Sequence, residues 1–146
     1  MARHLGAVLA FDYPRNWEDQ TEVRYVAPSR PGPLGEESPG RIVLRRSGLA
    51  CDEEFAAFVE RELRLRAAAD GFVIREVLAT RVDDREASLV RYATLESSVP
   101  YEHRVLFVPL HEQGVAMLTL SAPRSELAQL EPLFERMLSS VHLGAL

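Results

Sequence analysis

The stretch from Tyr101 to Ser121 constrains the fold more than any other part of this sequence. Two runs rich in β-forming residues, 101–110 and 115–121, are separated by the polar segment His111-Glu-Gln-Gly114. Two such runs, joined by a short polar link that ends in glycine, are typical of an antiparallel β-hairpin. Both runs are apolar enough to be central strands of a sheet. We therefore predict that the rest of the chain is arranged around this hairpin.

The segment between Glu53 and Asp70 has the spacing of an amphipathic helix. Asp52 precedes it as a candidate N-cap, and Gly71 follows it as a natural C-terminal stop. The apolar residues recur every four positions and form one stripe, which Phe58 widens: Phe55, Val59, Leu63 and Ala67. This pattern predicts the first of two helices.

The C-terminal segment has the same kind of spacing, with Ser125 as a candidate N-cap. Pro132 conflicts with a regular helix, so we expect it either to kink the helix or to open its main segment. The residues that recur at helical spacing are Leu127, Leu130, Phe134, Met137, Leu138 and Val141.

The remaining β-forming runs complete the prediction of a single α+β domain over residues 1–146. The predicted order is β-β-β-α-β-β-β-β-α, in which an antiparallel sheet of six to seven strands packs with two main helices. Besides the hairpin, the predicted strands are Leu5–Tyr13, Thr21–Ala27, Arg41–Arg46, Phe72–Val82 and Ala87–Ser97.

The segment from Pro28 to Gly40 contains four prolines and three glycines, with Leu34 as its only large apolar residue. Such a segment buries little surface, so we predict a flexible loop. It is either a simple insertion or a flap over a binding surface.

Composition excludes several classes of protein. A net charge of −5 does not suit a general nucleic-acid binder. The single cysteine, Cys51, excludes an internal disulfide. The apolar run Leu5–Phe11 is too short to span a membrane, and no small-residue cleavage site follows it. We therefore expect a cytoplasmic protein without a membrane anchor.

The sequence also lacks the spacing of known catalytic and metal sites. The four histidines, His4, His103, His111 and His142, do not form a His-Glu-x-x-His pattern. No nucleophile elbow surrounds Ser139 or Ser140. We expect no enzyme activity, cofactor or metal, and we expect His103 to be a hydrogen-bonded residue of the sheet.

The apolar residues of the strands leave two arrangements open. If both helices cover one face of the sheet, the other face needs a partner or a loop. If the helices take opposite faces, the same residues are ordinary core. Those residues are Ile42, Leu44, Leu89, Leu95, Val105 and Phe107.

Several motifs together resemble the DcrB-like family, which has the PsbP-like α/β sandwich fold. The resemblance extends over nearly the whole chain and is strongest to the Eag chaperones of type VI secretion. The motifs are Tyr13-Pro14-Arg-Asn-Trp17-Glu-Asp19, Arg45-Arg46, Phe55-Ala-Ala-Phe-Val59-Glu-Arg-Glu-Leu63, Asp83-Asp84-Arg85-Glu86-Ala87, Tyr101-Glu-His-Arg-Val-Leu-Phe107, Ala116-Met-Leu-Thr-Leu-Ser121 and Phe134-Glu-Arg-Met-Leu-Ser-Ser140-Val141.

The resemblance implies a chaperone that shields the hydrophobic N-terminal transmembrane helices of a secreted effector protein, often as a homodimer. Those chaperones hold the helices in a groove on a concave sheet. Where they often carry glutamine, this chain has Glu62 in the helix and His103 in the strand. The expected client-binding groove comprises Ile42, Leu44, Arg46, Glu62, Leu89, Leu95, His103, Val105 and Phe107.

Two other functions remain open at this point. The same fold could bind a soluble protein, since fold alone does not decide function. A small-molecule site around His103 or a perturbed carboxylate would require a deep pocket. The chaperone hypothesis predicts that Leu44→Asp or Phe107→Asp abolishes client binding while the fold survives.

Overall fold

The structure, a computed structural model, describes residues 2–5, 9–13, 18–21, 24–26, 30–32, 35–37, 40–49, 53–110 and 114–143. Its helices are α1 (Phe55–Arg66) and α2 (Leu127–Ser139), and a 3₁₀-helix (Arg124–Glu126) precedes α2. Its strands are β1 (Ala2–Leu5), β2 (Leu9–Tyr13), β3 (Glu18–Thr21), β4 (Arg24–Val26), β5 (Arg30–Gly32), β6 (Gly35–Glu37), β7 (Arg41–Gly48), β8 (Val73–Val82), β9 (Arg85–Glu96), β10 (Val99–Pro109), β11 (Gly114–Pro123) and β12 (His142–Leu143).

The predicted hairpin is confirmed as β10 and β11, which lie at the centre of the main sheet. The two strands pair antiparallel from Tyr101 opposite Pro123 to Pro109 opposite Val115. The sheet has seven antiparallel strands in the order β3-β4-β7-β11-β10-β9-β8, so β11 is the middle strand. All ten residues of β11 are buried, as a strand covered on both faces requires.

The first predicted helix is confirmed, although α1 is shorter than the expected Glu53–Asp70. Glu54 occupies the N-cap position without a side-chain cap, and the expected cap Asp52 lies outside the described residues. Gly71 ends the following turn with a φ of 64°. A Cβ on Gly71 would lie 2.7 Å from Cγ of Leu95, so this turn needs glycine for both conformation and space.

The second predicted helix is also confirmed, with two differences. The chain from Arg124 to Glu126 is a 3₁₀-helix, and Pro132 lies inside α2 rather than at its start. Proline has no N–H to donate to the carbonyl of Ala128, so one helical hydrogen bond is missing. Ala128 and Pro132 are both exposed, so water can reach this side of the helix. Val141, predicted as helical, follows α2 and is buried.

The N-terminal strands differ from the prediction. The run Leu5–Tyr13 belongs to two strands, β1 and β2, which pair antiparallel with each other, and β12 pairs with β2. The run Thr21–Ala27 likewise includes parts of β3 and β4. An apolar pattern can continue across a reversal of the chain, so hydrophobicity alone did not reveal where these strands turn.

The segment 28–40, predicted as a loop, contains two strands. The three-residue strands β5 and β6 pair antiparallel as a small separate sheet. The α+β class, the antiparallel sheet and the two helices are therefore as predicted, whereas the number and order of strands are not. Four strands between the helices, β8 to β11, match the prediction.

The two helices cover opposite faces of the main sheet, which decides between the arrangements that the sequence left open. On one face, Phe58 and Val59 of α1 pack against Val105 and Phe107 of β10. On the other face, Phe134 and Met137 of α2 pack with the alternate residues of the same strands. Those alternate residues and their neighbours are Phe11, Ile42, Leu44, Leu106, Val108, Leu118 and Leu120.

Candidate functional site

An open depression lies on the face of the sheet that α1 covers, beside the helix, and we call it the α1-side groove. Its volume is about 440 Å³. It lies between α1 and the strands β7 and β11, where α1 does not reach across the whole sheet. Its lining residues are Arg41, Val43, Arg45, Glu62, Leu65, Arg66, Tyr92, His103, Thr119 and Ser121.

The strand register explains why these side chains share one face. Arg41 pairs with Ser121 and Val43 pairs with Thr119 across β7 and β11. On the other side of β11, His103 of β10 lies opposite Ser121. Because side chains directly opposite each other in a sheet point to the same face, a single surface collects residues far apart in the chain.

The floor of the groove is a line of hydrogen-bonded polar side chains centred on His103. The Nε2 atom of His103 is 2.7 Å from Oγ1 of Thr94, and its Nδ1 atom is 2.7 Å from Oγ of Ser121. His103 is only 5% exposed. One hydroxyl accepts from the ring N–H and the other donates to the unprotonated nitrogen, so both ring nitrogens are satisfied in the neutral form.

Burial, the largest cause, and the nearby Arg41 guanidinium together lower the pKa of His103 to about 4. Glu96, whose carboxylate lies 3.9 Å from Nε2, opposes this shift. His103 is therefore neutral at physiological pH. It holds the hydroxyls of Thr94 and Ser121 in place without adding a charge to the groove.

Aromatic rings hold this histidine in place. The ring of Tyr92 stacks on His103 with centroids 4.6 Å apart, and the ring of Tyr101 stacks on it at 6.2 Å. The Arg66 guanidinium lies over the ring of Tyr92 and donates a 2.7 Å hydrogen bond to its hydroxyl. The floor is thus a packed, oriented surface, which reduces the entropy cost of binding a partner.

Of the nine residues predicted for the client-binding groove, only Glu62 and His103 line the α1-side groove. The nine do not form one surface, because the two helices cover opposite faces. Val105 and Phe107 are fully buried beneath α1. Ile42 and Leu44 are buried on the α2 face, where Leu89 packs against the same core cluster.

The two remaining members of the predicted set also lie elsewhere. Arg46 is exposed and pairs with Ala116, whose side chain belongs to the α2 face. Leu95 is exposed beside Gly71.

Sequence reasoning missed eight of the ten lining residues, including three on β7 and two on α1. The period-two series Arg41, Val43 and Arg45 was visible as alternating polarity in the third predicted strand. Leu65 and Arg66 lie near the end of α1, and only the position of the helix on the sheet brings them to the groove.

A second, smaller depression of about 220 Å³ lies on the α2 face, beside a network of ion pairs. Arg91 bonds Glu76 and Glu131, and Arg104 bonds Glu131 as well. Burial and the neighbouring Arg91 lower the pKa of Arg104. Since each of these arginines has a carboxylate partner, the network is an internal structural element of the fold.

The described residues contain no group of three or more His, Cys, Asp or Glu side chains placed to hold a metal ion. Cys51, His111 and their neighbours lie outside the described residues. Within the same ranges, neither helix has the length and apolar character needed to cross a membrane.

Comparison with known proteins identifies the fold. No family model and no curated protein matches this chain. Among solved structures, it is similar to PA94 of Pseudomonas aeruginosa, a protein of unknown function, with 22% identity, 88% of this chain and 87% of that one covered, and a TM-score of 0.65. It is also similar to cyanobacterial PsbP from Synechocystis, with 14% identity, 97% and 91% covered, and a TM-score of 0.60.

A third similar structure is the Ran-binding protein Mog1p of Saccharomyces cerevisiae, with 10% identity, 93% and 90% covered, and a TM-score of 0.61. These likenesses confirm the predicted PsbP-like fold. The DcrB-like and Eag resemblances stay predictions.

Proposed function

We propose that this chain is a non-enzymatic cytoplasmic chaperone or adaptor that binds the hydrophobic N-terminal helices of a type VI secretion effector. The α1-side groove is the site where one such helix docks. The observation that carries the proposal is the combination of an oriented polar floor with an exposed apolar wall. Leu65, near the end of α1, is 63% exposed and lines the same groove.

This combination suits an apolar helix because membrane helices associate by close packing and side-chain hydrogen bonds. A membrane-spanning helix has about 20 apolar residues, and outside a membrane its apolar surface aggregates. Ser, Thr and His side chains that hydrogen-bond across helices contribute about 1 kcal/mol each. The hydroxyls of Thr119 and Ser121, which line the groove, supply such groups, while Leu65 and Val43 supply apolar contact.

The resemblance to the DcrB-like family and its Eag chaperones supports the proposal, and it also implies a homodimer. The groove differs from the expected one, since Glu62 and His103 are its only members in common with the sequence prediction. The client is therefore expected to contact the residues beside α1 and not the buried residues of the sheet.

The alternative is an adaptor of the same fold that binds a soluble protein. Three arginines line the groove, which favours a more polar partner than a membrane helix. The similar structure of Mog1p is that of a protein described as Ran-binding, so this fold accommodates binding of a protein. The two hypotheses differ in whether the partner needs an apolar segment.

Co-expression with a model client tests the proposal. The client is a soluble carrier protein with an N-terminal helix of about 20 Leu and Ala residues, long enough to span a membrane. We expect this chain to keep the carrier soluble and to co-purify with it. Leu65→Asp should weaken binding by about tenfold or more, because a charge replaces apolar contact (tenfold equals about 1.4 kcal/mol).

Leu78→Asp is the matched control, since Leu78 is also exposed but lies on β8, outside the groove. Circular dichroism establishes that both variants are folded. Equal binding by wild type and Leu65→Asp would place the client elsewhere. Failure to bind the apolar carrier, together with recovery of a soluble partner from the native host, would favour the alternative.

A further inference from the structure

The α1-side groove is positively charged in a protein whose net charge is −5. Three guanidiniums, those of Arg41, Arg45 and Arg66, line it with a single carboxylate, Glu62. His103 is neutral and adds nothing to this balance. The lining residues alone carry two excess positive charges, and Glu96, which pairs with Arg41, reduces this excess to one.

The three guanidiniums are not equivalent. Arg41 is neutralised by Glu96, whose Oε2 lies 2.6 Å from its Nη2. Arg66 has no carboxylate within ion-pair distance among the described residues, and its buried Nε has no hydrogen-bond partner there. Arg45 is exposed and makes no ion pair or hydrogen bond within the same part of the chain.

These two uncompensated guanidiniums lie at one end of the groove and share a neighbour. Arg45 is opposite Met117 in the pairing of β7 with β11. Arg66 reaches down from α1, so that its Nη2 lies 3.9 Å from Sδ of Met117. Both therefore converge above Met117, next to the exposed side chain of Leu65.

We infer that Arg45 and Arg66 bind a carboxylate of the docked protein, an Asp or Glu side chain adjacent to the apolar segment that contacts Leu65. The inference rests on the proposed function only in placing a protein segment in this groove. Guanidinium groups bind carboxylates through paired, charge-assisted hydrogen bonds, so two convergent arginines are a suitable receptor.

An uncharged segment would fit this end of the groove poorly. Covering Arg66 removes water from a guanidinium that has no acidic partner in the described part of the chain, and a buried unpaired charge is costly. A carboxylate on the partner removes that cost and also favours one orientation of the bound segment. The partner is thus expected to be apolar with one acidic position.

The test compares paired model clients. Each is a soluble carrier with an N-terminal helix of about 20 Leu and Ala residues that contains one Glu or, in its pair, one Gln at the same position. Three pairs of Glu and Gln clients are made, with the changed residue in the first, middle or last turn of the client helix, because the direction in which the helix docks is not known in advance. Of the three Glu clients, we expect the one that binds wild type most tightly to bind about tenfold more tightly than the Gln client of the same pair.

Two adjacent arginines provide a matched pair of variants. Arg45→Glu should abolish the preference for Glu, and a client with Arg in place of Glu should restore binding to this variant. Arg46→Glu makes the same change of charge one residue away, on the opposite face, and should bind like wild type. The preference should also shrink as salt is raised, because salt screens exposed charges.

The outcomes separate this inference from the proposed function. Equal affinity of wild type for Glu and Gln clients at all three positions overturns the carboxylate inference, even when both bind. If no apolar client binds, a water-soluble peptide with a single Glu is tested next. Its binding to wild type but not to Arg45→Glu supports the carboxylate site with a soluble partner, and its failure to bind overturns both.

Discussion

His103 shows how one residue's surroundings determine what it contributes. It lies in the middle of the sheet, between two hydroxyl groups and against Tyr92, and its pKa is lowered to about 4 mainly by burial. The same imidazole on the surface would be partly charged near pH 6.5. Its role here is that of a neutral hydrogen-bonding group, close to that of a glutamine.

The pKa of His103 predicts how stability depends on pH. Its unfolded pKa is about 6.5, and its folded pKa is lower, so the unfolded state binds the proton first as pH falls. The free energy of unfolding should therefore decrease between about pH 6.5 and 4, by about 2 kcal/mol at pH 5 from this residue alone.

Urea denaturation of wild type and His103→Gln between pH 5 and 7.5 measures this contribution. Glutamine can form hydrogen bonds with both Thr94 and Ser121 but does not titrate. The free energy of unfolding of the variant should therefore fall less on acidification than that of wild type. If the two proteins lose stability equally, His103 is not the group responsible.

At the scale of elements, strand β8 of the main sheet is exposed along most of its length. It is the last strand in the order, and among the described residues it pairs only with β9. Four of its large apolar side chains are exposed: Val73, Ile74, Val77 and Leu78, by 50, 45, 57 and 41%. A long apolar edge strand is a site for unwanted strand pairing.

Val77→Lys should reduce association through this edge. Lysine on an edge strand opposes pairing with another chain, and at an exposed position it should change stability by no more than about 0.5 kcal/mol. Light scattering during heating, over a range of protein concentrations, should show a higher onset of aggregation for the variant. The control Leu65→Lys adds the same charge away from this edge and should leave the onset temperature of aggregation unchanged. If both variants raise the onset temperature equally, β8 is not the site of association.

For the whole molecule, the decisive feature is a core on both faces of one sheet. The strand β10 contributes Phe107 to the α1 face and Leu106 to the α2 face, and both are almost fully buried. Each face has its own helix. The part of the α1 face that the helix leaves uncovered defines the groove.

This arrangement changes the expected effect of the substitutions that the sequence suggested. Leu44→Asp and Phe107→Asp place a charge in the cores of the α2 and α1 faces, where no partner compensates it. Both should lose cooperative unfolding, with a destabilisation of about 4 kcal/mol or more. Val43→Asp should remain folded, because Val43 is half-buried and lines the open groove.

Thermal unfolding followed by circular dichroism distinguishes these outcomes. A folded Phe107→Asp variant with an unchanged midpoint would mean that the α1 face is more open than described. A folded Val43→Asp variant that no longer binds the model client would support the groove.

The central hairpin, both helices and the α+β class could be predicted from the amino-acid sequence alone. These follow from local signals: β-forming runs of five to ten residues around a glycine-containing turn, and apolar residues at helical spacing. The local signals were weaker before Arg41, where an apolar pattern continued across chain reversals. There the structure has more strands, in a different order, than the sequence indicated.

Which side chains line the groove depends on the packing of the whole chain. Alternation along a strand assigns residues to two faces but does not say which face a helix covers, so Phe107 and Leu44 were assigned to one groove although they lie on opposite sides. The α1-side groove combines residues of β7, α1, β9, β10 and β11. Their proximity depends on strand pairing and on where α1 rests, which are long-range packing choices that no local sequence pattern records.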